Sequence, residues 1–254
     1  MERDNFVRKI FGSQHRYDKN VEILTGLHSK GRLLDAAARH GRISKKLKER
    51  GFEVIAADIN PIDFPSEEIP ILIADFNQWL PFKEATFDFV LCSNGIEYFE
   101  DPYCFVRECY RVLKTEGKLL IETPNALNLQ SRVANLATGF YRFNGRPYDE
   151  VSDRLDGEHR MNLQNYYQLR LNLHRNGFRI IQVTTHEFSN RAMAFALIYP
   201  FVYLATLWAS KREKRPLQIE RNREIFKHVM SADVAFGKQI FILAEKNPSY
   251  QKGI

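Results

Sequence analysis

Along its first half the chain alternates short apolar runs with amphipathic blocks. Asp18–Leu27 has the spacing of a short amphipathic helix, and Arg32–Asp35 is an apolar run closed by an acid. Arg42–Arg50 is apolar only at Ile43 and Leu47, so it reads as a helix with a solvated basic face, stopped by Gly51. The cadence repeats. Phe52–Asp58, Ile71–Asp75, Phe87–Cys92 and Lys118–Glu122 read as strands, with a helix over Pro102–Leu113. Strands alternating with helices predict βαβ units and a parallel sheet covered on both faces.

Beyond Pro124 the pattern loosens. Leu127–Leu136 and Leu163–Arg175 read as helices, with a loop-rich, aromatic stretch over 138–160 between them. Phe178–Thr185 and Lys238–Lys246 read as the closing strands, separated by the apolar run 192–209 and the basic run Lys211–Arg215. The expected architecture is α/β: a Rossmann-like, doubly wound, mostly parallel sheet of seven strands with an antiparallel last strand. The expected organisation is one domain over 1–254, with insertions at about 126–161 and 189–232.

Composition adds modest limits. The 254 residues carry 37 Lys and Arg against 31 Asp and Glu, a net charge of +6 that points to an anionic partner without choosing one. Cys92, Cys104 and Cys109 form neither a disulfide framework nor a CxxC pair, so no metal site is expected. No uninterrupted apolar stretch marks the N-terminus, and cytoplasm is the expected compartment.

Open parallel sheets bind ligands beyond the carboxyl ends of their strands. Asp35, Asp58 and Asp75 stand at or beside such ends, and a carboxylate ending the second strand suits the two hydroxyls of a ribose. An adenosyl or a nicotinamide cofactor fits that much equally well.

In order, Leu34-Asp-Ala-Ala-Ala-Arg-His-Gly41, Val54–Ile59, Ala74–Phe76 with Leu80-Pro-Phe82, Phe87–Pro102 and Arg111–Gly117 resemble the class I S-adenosylmethionine-dependent methyltransferases. The resemblance covers roughly residues 15–125 and the last strand. It implies that Asp35, Ala37, Arg39 and Gly41 border the methionine part of S-adenosyl-L-methionine. Asp58 then holds the ribose, Ile59 flanks the adenine, Asp75 and Phe76 form the adenine-binding segment, and Ser93 and Asn94 stand beside the cofactor. Glycines usual at alternate positions of the first loop are replaced by Ala37 and Arg39. Alanine is expected to cost little if its φ is negative; Arg39 either reaches the methionine carboxylate or fills its place.

Thr123-Pro-Asn125, Glu158-His-Arg160 and the following helix resemble bacterial glycan and quinone methyltransferases. That implies His159 as general base, with Glu97 a second catalytic candidate, and a small-molecule or lipid-linked saccharide as acceptor. Tyr98 stands where some quinone-pathway members place a metal-binding His, which argues against a metal.

The uncharged run 192–209 has the minimum length of a membrane span, but strands of one sheet precede and follow it, so a single pass is excluded. It is expected to lie in the membrane interface, to dip in as a pair kinked at Pro200, or to form a buried or dimerising helix. Arg191 and the basic run Lys211–Arg215 favour an anionic surface met through 192–215, peripheral to the inner face of the membrane. Two other functions stay open. A non-catalytic scaffold is prompted by Arg39; a nucleic-acid methyltransferase is prompted by the charge but weakened by the lack of an Asn/Asp-Pro-Pro-aromatic motif.

Overall fold

The computed structural model describes residues 16–27, 30–140 and 162–247. Seven strands form one sheet: β1 (Arg32–Ala36), β2 (Glu53–Asp58), β3 (Ile71–Ile73), β4 (Phe87–Ser93), β5 (Leu113–Pro124), β6 (Phe178–Thr184) and β7 (Gln239–Lys246). Their order is β3-β2-β1-β4-β5-β7-β6. The pairs β1–β2, β1–β4, β2–β3 and β4–β5 are parallel, and the sheet as a whole is mostly parallel with one antiparallel strand. This is the expected α/β, Rossmann-like architecture. Strand order reverses between β1 and β4, so the crevice outside their carboxyl ends is the natural place for a ligand.

The strands are near-continuous apolar runs because helices cover both faces of a parallel sheet. Leu33, Leu34, Ala56, Val90 and Leu91 are fully enclosed. Helix α1 (Arg16–Thr25) precedes β1, and α2 (Arg42–Glu49) follows it, burying Ile43, Ser44 and Leu47 while its lysines face outward. Helix α3 (Pro102–Val112) opens as its sequence dictates. Asp101 accepts from the backbone N–H groups of Tyr103 and Cys104, and Pro102, which lacks an N–H, fills the first turn. Beneath it Phe76, Phe99 and Phe105 form a buried aromatic cluster with centroids 4.8–5.8 Å apart. Helix α5 (Tyr166–Arg175) starts three residues later than the apolar pattern predicts, because Asn165 and Gln168 close a reciprocal capping box there.

The chain divides into two compact units. The first comprises the described parts of 14–123, 149–182 and 241–254, and holds most of the sheet. The second comprises those of 124–148 and 183–240 and is helical. In it lie α4 (Leu129–Thr138), α6 (Asn190–Met193), α7 (Tyr199–Lys211), α8 (Pro216–Val229) and α9 (Ala232–Phe236). Its interior is pinned by buried Asn125, whose amide donates to the carbonyls of Val234 (2.9 Å) and Gly237 (3.0 Å). Gly237 is required by close approach: a Cβ there would stand 2.2 Å from the carbonyl oxygen of Asp233.

The apolar run 192–209 is neither one long helix nor a buried one. It is divided among α6, a 3-10 turn at Ala196–Ile198, and α7, and no residue of α7 is buried. Pro200 does not kink a helix; it sits in the first turn of α7, where its missing N–H has no intrahelical acceptor to serve. Among the described residues no helix is long and apolar enough to cross a membrane.

Candidate functional site

The rim of the sheet unit is built by three turns, each leaving the carboxyl end of a strand. After β1 the chain turns through Ala37, Arg39 and Gly41 with φ of 62°, 45° and 64°. All three are left-handed, so the loop follows an alternating path that glycines ordinarily provide. The condition under which alanine would cost little at this position, a negative φ, is not met: an L-residue holds this conformation at a cost of about 1–2 kcal/mol. Gly41 remains glycine for a second reason, since a Cβ there would stand 2.6 Å from the ring of Phe64. The methyl of Ala37 faces Gly95 after β4, where a Cβ would come within 2.6 Å of it. An enlarged residue on one loop thus meets the smallest residue on the other.

Asp58, at the end of β2, ties two turns together. One carboxylate oxygen accepts the backbone N–H of Arg39 (2.8 Å) and the other that of Asn60 (2.8 Å). Each oxygen keeps a second lone pair, so a ligand diol can still donate to the pair. The Arg39 side chain is exposed. Ile59 follows Asp58 and is 61% exposed, and Ile73 at the end of β3 is 64% exposed, so two apolar side chains stand uncovered on adjacent strand ends. Asp75 lies two residues past β3. Its carboxylate accepts from the Asn77 backbone (2.9 Å), and it remains partly exposed.

Two residues of the expected cofactor site, Asp35 and Phe76, are engaged within the protein. Asp35 is buried and accepts from Ser44 Oγ (2.5 Å) on α2, so it fastens the helix under the loop. Burial pushes its pKa from 3.8 up to about 7, against the Ser44 hydrogen bond and with help from the charge of Asp58. Phe76 turns inward to Phe99 and Phe105, leaving its ring no ligand-facing side.

At the ends of β4 and β5, Ser93 Oγ donates to Glu122 Oε2 (2.5 Å), which also accepts from Asn20 Nδ2 of α1 (2.7 Å). Asn20 and Glu122 escaped the sequence reading, although a Glu ending the run Leu119-Leu120-Ile121 was a visible signal. Asn94 adopts a left-handed φ of 51°, and its N–H donates to the Glu122 carbonyl (2.8 Å). Both polar atoms of its side-chain amide are enclosed without a hydrogen-bond partner among the described residues. Such atoms are rare and point to a missing group. Glu97 is fully buried and accepts from Thr123 Oγ1 (3.0 Å). His159 lies outside the described residues.

Residues 34–121 match the family described as a methyltransferase domain. The chain is 32% identical over 122 residues to demethylmenaquinone methyltransferase of Thermus thermophilus, covering 44% of this chain and 55% of that protein. It is 27% identical over 110 residues to ubiquinone biosynthesis O-methyltransferase of Xanthomonas oryzae pv. oryzae, covering 37% and 43%. It spans about half the length of the curated relatives it matches. A crystal structure of an S-adenosylmethionine-dependent methyltransferase from Archaeoglobus fulgidus superposes with a TM-score of 0.58 at 20% identity, over 91% of this chain and 92% of that one. That likeness establishes the fold.

Proposed function

Because this chain carries a class I methyltransferase domain, we propose that it is an S-adenosylmethionine-dependent O-methyltransferase acting on a hydroxyl of a saccharide or lipid-linked glycan intermediate at the membrane surface. The observation that carries the methyl-transfer reading is the first loop, left-handed at Ala37, Arg39 and Gly41 and bonded through the Arg39 N–H to Asp58. Its backbone keeps the cradle although its residues have changed. The residues present fit the cofactor. Asp58 offers lone pairs to the ribose, exposed Ile59 offers an apolar flank to the adenine, and the enclosed Asn94 amide lacks the partner a ligand would bring. Bound there, the sulfonium supplies an activated methyl group.

The protein's own task is alignment of a nucleophile with that methyl, which needs little covalent assistance. A hydroxyl acceptor must also lose its proton, and His159 is the proposed base. The ubiquinone biosynthesis O-methyltransferase relative supports an oxygen acceptor, and the saccharide assignment rests on the glycan-type sequence resemblance. The scaffold reading rests on Arg39 standing where the methionine carboxylate belongs, and cofactor binding decides between the two.

Calorimetry with S-adenosylhomocysteine tests the site. Wild type is expected to bind, and Asp58→Asn to bind about 10–100-fold more weakly, as fits the loss of charge-assisted hydrogen bonds worth about 1.5–3 kcal/mol. Absence of binding by wild type at millimolar ligand would return the chain to the scaffold reading.

A further inference from the structure

Helix α7 is apolar around its whole circumference, a composition normally reserved for buried helices. Its inner side is satisfied within the helical unit. Tyr199 donates its hydroxyl hydrogen to the Met230 carbonyl (2.6 Å), and Tyr203 stands edge-on to Phe226 of α8 with centroids 5.0 Å apart. The opposite side is largely exposed among the described residues. Phe201, Leu204 and Trp208 are 73%, 62% and 64% exposed, and at about 100° per residue they fall on one stripe. Leu197, in the turn before the helix, extends the apolar surface at 88% exposure.

The stripe runs into positive charge. Arg212 follows Trp208 by four residues on the same face, and its guanidinium lies 4.5 Å over the Trp208 ring. Lys211, Lys214 and Arg215 cluster beside it, with Glu213 bonded to Arg215 (2.8 Å). Residues 190–229 hold eight basic and three acidic side chains, a net +5 within a chain whose total is +6. The rest of the molecule is therefore close to neutral, and the excess charge sits beside the exposed apolar helix.

We infer that the outer face of α7 is a docking surface for an anionic lipid bilayer, with the helix lying in the interface. Thirteen residues span about 20 Å, too short for a hydrocarbon core of about 30 Å, so the helix lies along the membrane rather than through it. Trp208 has the amphipathic ring that settles at headgroup depth, and the basic cluster reaches the phosphates. Charge selects the bilayer over a second copy of this chain. Two copies would bring two net-positive surfaces together, whereas anionic headgroups neutralise them. The inference rests on the membrane-borne acceptor proposed above only for its purpose; docking itself is a property of the helical unit.

The test is flotation of the full chain with vesicles of phosphatidylcholine alone or mixed with phosphatidylglycerol. Flotation with the anionic vesicles that weakens steeply with salt is expected, and binding by a Trp79→Phe chain is expected to blue-shift the emission of Trp208. Two variants are compared: Phe201→Ser/Leu204→Ser/Trp208→Ser and Lys211→Glu/Arg212→Glu/Lys214→Glu. All six positions are exposed, so circular dichroism and S-adenosylhomocysteine binding are expected to be unchanged while each variant loses at least tenfold in vesicle binding. Three outcomes would overturn the inference. These are no flotation of wild type, equal flotation of the apolar variant, or a wild-type dimer by light scattering that the same variant dissociates. Nucleotide binding is read separately, so failure here and failure of the methyl-transfer reading are distinguishable.

Discussion

The sheet unit and the helical unit treat large apolar side chains in opposite ways. In the first, Phe87, Phe105, Phe178 and Phe241 are fully enclosed, and around the crevice the uncovered apolar groups are Ile59 and Ile73. In the second, Leu129, Phe188 and Val234 are enclosed beside buried Asn125 and Ser131, yet Leu136, Leu197, Phe201, Leu204, Trp208 and Leu217 stand in the open. Folding stability accounts for the first distribution. It does not account for the second, because an exposed phenyl or indole gains nothing from the folded state. The contrast teaches that apolar surface in one unit holds the fold, while in the other it is available to something outside the chain.

Truncation breaks that comparison most sharply. Phe105→Ala is expected to destabilise by about 3–5 kcal/mol through lost burial and a cavity beside Phe76 and Phe99. Phe201→Ala is expected to stay within about 0.5 kcal/mol. Urea denaturation of the two variants checks this, and similar losses would erase the distinction between the units.

A next-largest effect lies at Asp35. Its folded pKa of about 7 exceeds its ordinary 3.8, so the folded state holds this proton more tightly than the unfolded chain. The resulting stability is fully present below about pH 4 and is lost as pH rises to about 7. Stability of Asp35→Asn relative to wild type is expected to grow by a few kcal/mol between pH 4 and 8. A constant difference across that range would show that Asp35 titrates normally.

The smallest effect belongs to the first loop. Gly95→Ala is expected to lose about 1–3 kcal/mol by driving a methyl onto that of Ala37, and the double variant Ala37→Gly/Gly95→Ala to recover most of it. Additive thermal shifts would show that the two loops do not share this space.

Sequence carried the sheet well because each strand is an apolar run with an acid or turn residue at its end. Asp58 ends β2 where its apolar run stops, whereas β5 starts at Leu113 and runs past Glu122 to Pro124, longer at both ends than its apolar run. What escaped depends on orientation rather than residue type. Nothing in the pattern of Asp35 or Phe76 says that their side chains turn toward α2 and the aromatic cluster instead of the rim. Alanine and arginine at left-handed positions carry no glycine signature, so the loop's conformation could be inferred only from its place between β1 and α2. The partner of Asn20 lies 102 residues away, beyond any local pattern. Pro200 was ambiguous for a different reason: within an apolar stretch a proline marks a kink or a beginning equally well, and the 3-10 turn before it decided for the beginning.

Asp58 grips one amide from each of two successive turns, and this makes it a common anchor as well as a ligand-facing acid. A nucleoside that shares its oxygens is thermodynamically linked to the order of both turns, since whatever steadies the anchor steadies what hangs from it. A ligand leaving Asp58 would therefore loosen both turns together, and each one arriving would have to order both again.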